Sequence, residues 1–201
     1  MFLDIGGVVL SNGWGHQSRI LAAQSFELNY EEMEARHQLN MVTYEEGKMT
    51  LDKYLNRVVF YRSRPFTRER FQEFMFAQST PYPEMIEFIR SLKEAHRLRI
   101  IVVNNEGREL NEYRIKKFRL DEFVDCFLSS CFVHFRKPDT DIFLLALDIA
   151  QVPAKQVIYI EDTPMFVDVA SDLGIRGIRH KDMTTTSKKL AAMGLSIGKK
   201  G

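Results

Sequence analysis

From Pro81 onward the sequence alternates short, continuously apolar runs with amphipathic helical stretches, and this β/α rhythm admits few folds. Met85, Ile86, Ile89 and Leu92 recur at the spacing of one helix face, and "LRIIVV" (98–103) follows as a strand. The pattern repeats through "FVDCFL" (123–128), a helix around Ile142, Ala146 and Ile149, "VIYI" (157–160), a helix ending at Gly174, and "IRGIR" (175–179). Strands that are apolar along their whole length are buried on both faces, which requires a mostly parallel sheet with helices on each side. The expected fold is therefore α/β, a doubly wound Rossmann-like core.

The opening "FLDIGGVV" supplies one further short strand, Phe2 to Ile5, for the same sheet. Between it and Pro81 the periodicity is wholly helical, from about His16 to Gln78, with Leu51, Tyr54, Leu55 and Val58, then Phe71, Phe74 and Met75, at three- and four-residue spacing. The expected organisation is a core from 1–14 and 81–201 with an all-helical cap, 15–80, inserted into it.

Charge and cysteine usage limit the partners. The 28 Lys and Arg against 27 Asp and Glu leave a formal charge of +1, so no global field recruits nucleic acid or an anionic membrane. No stretch approaches the roughly 20 apolar residues of a membrane span, and the Met1 end lacks the basic region of a signal peptide. Cys126 and Cys131 form no C-x-x-C pattern and read as packing residues in a reducing, cytoplasmic setting. The sequence assigns no oligomeric state.

Ligands of open parallel sheets bind beyond the carboxyl ends of the strands. Those ends deliver Asp4, then Asn104 and Asn105, then Glu161 and Asp162. Singly each has an ordinary explanation: paired asparagines make turns, and Glu-Asp before Thr163-Pro164 starts a helix, with Thr163 as cap and Pro164 at the first helical position. Jointly they bring carboxylates from distant parts of the chain to one end of a sheet, which is costly without a cation. Mg²⁺ suits a few carboxylate or carbonyl oxygens plus water and phosphate, whereas no His cluster or Cys pair offers a zinc site. Lys137 in "FRKPDTDIF" adds a positive charge, its ordinary alternative being a solvated loop lysine.

Asp4 in "FLDIGGVV", the asparagines of "IIVVNNEGR", Lys137 in "RKPDTDIF" and "VIYIEDTPMFVDVASDLG" resemble, in order and spacing, the four motifs of the haloacid dehalogenase-like (HAD) superfamily. The resemblance spans nearly the whole chain and is nearest to the first subfamily, with its helical cap between the first two motifs, and to its sugar-1-phosphatase-like branch. It implies a Mg²⁺-dependent phosphohydrolase acting on a small phosphorylated metabolite, with Asp4 as the nucleophile that forms an aspartyl-phosphate. It further implies Mg²⁺ held by Asp4, the Gly6 carbonyl and Asp162, with Glu161 binding through water or orienting the others. Lys137 would neutralise the phosphate oxygens and Asp4; Asn104, Asn105 and the helix start near Gly107 would hold the phosphoryl group. Arg108 would meet either substrate or solvent.

Two positions depart from the family pattern. Gly6 stands where most HAD phosphatases carry a second Asp, the general acid, whose loss is typically worth ~10²- to 10⁴-fold and bears least on good leaving groups. Asn104 stands where the family has Ser or Thr, bringing a carbonyl dipole toward an anion. Asn12-Gly13 reads as a two-residue hairpin turn, hence a flap over the site, with Trp14 and His16 beside it. Arg62 and Arg64 are candidates for a second anionic group on the substrate, and Phe60, Tyr61 and Phe66 line either the pocket or the cap core. The competing readings are a HAD scaffold that binds with little turnover and a metal-independent 2-haloacid dehalogenase, the latter opposed by the Glu161-Asp162 pair.

Overall fold

The computed structural model describes residues 1–197. Its five-stranded sheet is parallel throughout, in the order β3-β2-β1-β4-β5. The strands are β1 (Phe2–Leu3), β2 (Ile101–Asn104), β3 (Cys126–Ser129), β4 (Ile158–Glu161) and β5 (Arg176–Arg179). The shortest strand holds the centre: Leu3 is in register with Val102 on one side and Ile160 on the other, and the Asp4 amide extends the ladder to the Ile160 carbonyl (3.0 Å).

Period-two alternation along the strands sorts their side chains onto two buried faces. Leu3, Val102, Ile158, Ile160 and Ile178 pack on Phe88, Ile89 and Leu92 of α5 (Pro83–His96) and Leu190 of α10 (Met183–Ala192). Phe2, Ile101, Val103, Leu128 and Tyr159 pack on Ile142, Phe143 and Ala146 of α8 (Asp141–Ala150) and Ala170 of α9 (Pro164–Asp172). Helices on both faces explain why these strands read as unbroken apolar runs.

Four helices precede α5: α1 (His16–Ser25), α2 (Tyr30–Glu45), α3 (Leu51–Val58) and α4 (Arg68–Ala77). Asn29, Thr50 and Thr67 cap α2, α3 and α4 by accepting hydrogen bonds from backbone amides three residues on. These helices have a hydrophobic cluster of their own, including Trp14, Phe26, Met33, Tyr54, Leu55, Phe71 and Met75. Leu110 of α6 (Arg108–Lys117) joins it from the sheet side. Polar ties cross the boundary: the Leu51 amide donates to Glu109 (2.8 Å), Ser130 Oγ donates to the Glu45 carbonyl (2.6 Å), and Arg136 pairs with Glu45 (2.8 Å). Ser130 opens the one-turn α7 (Ser130–Val133).

The chain leaves the sheet and returns to it side by side. Ser11 N–H donates to the Thr80 carbonyl (2.8 Å), the Thr80 amide to Ser11 Oγ (2.9 Å), and Leu10 bridges antiparallel to Pro81. The expected hairpin at Asn12-Gly13 is absent. The tight turn lies earlier, where the amides of Val8, Val9 and Leu10 all donate to the Ile5 carbonyl and Gly7 takes φ +72°. The cross-chain partner that residues 9–11 find at 80–82 outcompetes a local hairpin.

Candidate active site

Strand order decides what meets at the carboxyl end of the sheet. The chain moves outward from β1 through β2 to β3, then crosses back to place β4 against the other side of β1, so the switch point lies between β1 and β4. Asp4 follows β1 there, Glu161 ends β4, and Asp162 succeeds it. One oxygen from each of these three carboxylates lies within 4.8 Å of the other two.

Lys137 arrives from the loop before α8 and is 2% exposed. Its Nζ donates to Asp4 Oδ1 (2.7 Å), Glu161 Oε2 (2.6 Å) and Tyr159 Oη (3.0 Å), so every proton of the ammonium is used. The Phe166 ring lies 5.0 Å from the same nitrogen. Burial pushes the Asp4 carboxyl above its ordinary range against the pull of Lys137. Burial acts on Glu161 in the same sense, but Lys137 and hydrogen bonds outweigh it and hold Glu161 low. Lys137 loses solvation too, and its two acids more than restore its proton affinity. Glu161 is thereby engaged on all sides, accepting also from Tyr159 (2.5 Å) and the Thr163 amide (2.9 Å).

Asp162 faces the cavity instead. Burial and the neighbouring Glu161 raise it to about 6. Gly7 makes room for it: at φ +72° a side chain is strained, and a Cβ there would fall on the Asp162 carboxylate. Thr163 is the cap residue of α9 and Pro164 its first residue, yet the Thr163 hydroxyl makes no cap and donates to Asp162 Oδ1 (3.2 Å). The donor set fits a hard divalent cation: oxygens only, two carboxylates open to the cavity, and a glycine cradle that brings one of them against the backbone beside Asp4.

The expected phosphate-holding residues behave differently from one another. Asn105 lines the cavity and is locked to the lysine segment, donating to the Lys137 carbonyl (2.8 Å) while accepting from the Lys137 amide (2.9 Å). Asn104 does not line it. Its side chain is 2% exposed and turns into α6, donating to Asn111 Oδ1 (3.2 Å) and leaving its own Oδ1 unpartnered. An amide longer than Ser or Thr reaches the buried Asn111 carbonyl, away from the cavity where the phosphate contact is expected. Arg108 also lies outside the cavity, donating to the Cys131 carbonyl (2.8 Å) over the Phe132 ring.

The cavity has two joined parts. A pocket of about 130 Å³ holds Asp4, Gly6, Asn105, Lys137, Glu161 and Asp162. A larger one of about 320 Å³ rises into the helical block between Trp14, Arg19, His37, Met41, Tyr44 and Glu45. Asn12, Asn105, Glu106, Asp162 and Thr163 line both. A Cβ on Gly6 would sit 2.9 Å from Asn12 Oδ1, so the Asn12 amide stands where a side chain at position 6 would begin.

Several lining residues gave no sequence signal. Glu106 follows the asparagine pair and carried no reading of its own. It is buried, pairs with Arg114 of α6 (2.6 Å) and accepts from the Gly107 amide (3.1 Å). Tyr44 Oη is buried without a partner. Arg19 is committed to Glu34 (2.6 and 2.8 Å) and to the Trp14 carbonyl (2.8 Å). Tyr159 sat inside an apolar run that only the register splits between faces. The other candidates fall elsewhere: His16 bonds Tyr30 at the surface, Arg62 pairs with Glu32, Arg64 caps the Val59 carbonyl, and Tyr61 lies under Arg36. Phe60 and Phe66 pack on Phe71 in the helical cluster.

A parallel sheet that gathers acids and a buried lysine at its switch point has the architecture of an α/β enzyme. The family of haloacid dehalogenase-like hydrolases matches residues 1–174, and the chain belongs to it. It is 24% identical over 165 residues to flavin mononucleotide hydrolase 1 of Arabidopsis thaliana, 82% of this chain and 66% of that one. It is 24% identical over 133 residues to a phosphorylated carbohydrates phosphatase of Thermotoga maritima, 66% of this chain and 57% of that one. The chain thus spans less than two thirds of the length of either curated relative. Among solved structures it superposes on a HAD family enzyme of Bacteroides thetaiotaomicron in complex with magnesium and inorganic phosphate, at TM-score 0.76, 16% identity, and 92% and 96% coverage. It also matches an L-2-haloacid dehalogenase of Xanthobacter autotrophicus at TM-score 0.62 and 12% identity, over 97% of this chain and 83% of that one.

Proposed function

We propose that this chain is a Mg²⁺-dependent phosphohydrolase of a small phosphorylated metabolite. The observation that carries the reading is the Asp4–Lys137–Glu161 cluster with Asp162 beside it, at the floor of a cavity that opens into a second, larger one. Asp4, Asp162 and the Gly6 carbonyl are the groups that would hold Mg²⁺, with Glu161 behind them orienting Lys137. When bound, the ion offsets the charge of the phosphoryl oxygens. Lys137 holds Asp4 Oδ1 and screens it from the incoming anion. Asp4 attacks phosphorus to give an aspartyl-phosphate, which water then hydrolyses.

The helical block 15–80 acts as the cap of the first HAD subfamily and supplies the larger pocket. Arg19, which lines it, is spent on Glu34, and Glu45, which also lines it, pairs with Arg136, so among the described residues that line this pocket there is no uncommitted arginine or lysine. Such a pocket suits an uncharged, hydroxyl-rich leaving group and offers no free cation to a second phosphate, which favours a sugar phosphate over a nucleotide diphosphate or pyrophosphate. The free thiols Cys126 and Cys131 accord with a reducing, cytoplasmic setting.

Phosphate release from sugar phosphates, acyl phosphates and p-nitrophenyl phosphate, with Mg²⁺ or chelator, tests the reading with Asp4→Asn as control. Turnover that requires both Mg²⁺ and Asp4 is expected. Folded protein that binds Mg²⁺ and releases no phosphate would instead favour a binding scaffold, the reading to which Gly6 and the inward-turned Asn104 point. Chloride release without metal would favour the dehalogenase.

A further inference from the structure

We propose that Glu106 is the general acid of this site, donating the leaving-group proton that a residue at position 6 cannot supply. The inference rests on the phosphohydrolase reading. Gly6 has no side chain, and the Asn12 amide that occupies its place carries no transferable proton at neutral pH. Among the described residues lining both pockets, Asn12, Asn105 and Thr163 are amides or a hydroxyl and Asp162 belongs to the metal set. Glu106 remains. It lies where the phosphoryl pocket passes into the leaving-group pocket, the place where the scissile oxygen of a bound ester must sit.

Its surroundings suit the task. Oε1 accepts from the Gly107 amide and Oε2 from Arg114 Nη1, so both oxygens of the carboxyl are held, although Glu106 itself lies in the short connection before α6. Arg114 is anchored in turn by the Ser11 carbonyl (2.5 Å), and the Glu106 amide by Ser130 Oγ (3.0 Å). The titratable and charged groups facing it are Arg114 from α6, Glu45 and Tyr44 from α2, and Cys131 from α7. Burial raises the Glu106 carboxyl to about 7, with Glu45 adding and Arg114 opposing, which suits an acid working near neutrality. The Tyr44 hydroxyl, buried without a hydrogen-bond partner, lies beside Gly107.

The step balances. Asp4 Oδ forms a bond to phosphorus as the ester P–O bond breaks, and the leaving oxygen takes the proton of Glu106, giving a neutral alcohol and the Glu106 carboxylate. That carboxylate then removes a proton from water as the water oxygen attacks phosphorus and the Asp4–phosphorus bond breaks. Inorganic phosphate leaves, with Asp4 ionised and Glu106 protonated as at the start.

Glu106→Gln keeps the shape and removes the proton. Its kcat/KM is expected to fall ~10²- to 10⁴-fold on an alkyl ester such as glycerol phosphate but less than about tenfold on p-nitrophenyl phosphate, whose leaving group needs no acid. The wild-type kcat/KM for the alkyl ester should decline above about pH 7, and the variant should lose that limb; Glu106→Asp, still an acid, should regain part of the rate. Equal losses on both esters with an unchanged pH profile would reduce Glu106 to a positioning residue that holds Arg114, and would overturn the proposal while leaving the phosphohydrolase reading intact. No turnover by the wild type on any ester would overturn both. Thermal melts of each variant separate these outcomes from misfolding.

Discussion

Replacing Lys137 by Met keeps an unbranched side chain, one atom shorter, and removes its charge from a site that is 2% exposed. In the native protein Nζ bonds two buried carboxylates and a tyrosine hydroxyl, at 2.7, 2.6 and 3.0 Å. The variant leaves Asp4 and Glu161 as neighbouring buried acids with no cation between them. Breaking a buried pair by removing one partner costs about 3–5 kcal/mol. At about 2–4 °C per kcal/mol for a chain of this size, Tm should fall by about 6–20 °C in metal-free buffer at pH 8. The pH dependence is the sharper test. Without Lys137 both carboxyls have folded pKa values above their unfolded ones, so the folded state takes up protons first as pH falls. The deficit should therefore be largest at high pH and shrink as pH falls through the raised folded values. Adding Glu161→Gln removes one of the two charges and should restore part of the lost stability, so the two substitutions should be strongly non-additive. Melting curves from pH 5 to 8 for the two single variants and the double variant provide the measurement. A Tm loss that is the same at every pH, or strict additivity, would refute the electrostatic account and leave only lost packing.

Other consequences can be checked independently. Trp14 Nε1 donates to Tyr54 Oη (2.9 Å), which bonds His37 Nδ1 (2.7 Å), so Tyr54→Phe orphans a buried donor and a buried acceptor and should cost about 2–5 kcal/mol in denaturant unfolding. Burial, with Arg19 adding, lowers His37 from 6.5 to about 4, so it folds neutral; stability should decline as pH drops from 6.5 to 4, by up to about 3 kcal/mol, and His37→Gln should flatten that decline. Gly6→Asp combined with Asn12→Ala removes the 2.9 Å conflict and should restore alkyl-ester turnover to Glu106→Gln by about tenfold or more, measured as phosphate release; no gain would mean that position 6 no longer faces the leaving oxygen.

Much of this was legible in the sequence, for identifiable physical reasons. Residues 98–103 and 157–160 announced themselves because a strand buried on both faces must be apolar throughout, and each observed strand, Ile101–Asn104 and Ile158–Glu161, is shifted only toward its polar end. Asp4, Lys137, Glu161 and Asp162 stood out because carboxylates at several strand ends need a cation. Asn104 was harder: nothing local says that a buried Asn111, seven residues on, competes for its amide. Glu106, Tyr44 and Arg19 were silent because their meaning lies in the packing of α2 against the sheet end, which no short motif encodes. The Asn12-Gly13 turn failed for a related reason, since its competitor at Thr80 is far along the chain.

Tyr159 has a consequence for how such an enzyme could change. Its ring belongs to the hydrophobic cluster on one sheet face, against Phe143 at 5.3 Å, while its hydroxyl holds Lys137 and Glu161. The smaller pocket is therefore tied to the folding core, and a substitution there changes stability and the site together. His37, Met41 and Tyr44 stand on α2; Tyr44 belongs to a separate hydrophobic cluster and stacks on its Tyr54, to which His37 is hydrogen-bonded. Met41, half-buried and outside that cluster, is the wall position that can change without loosening either core.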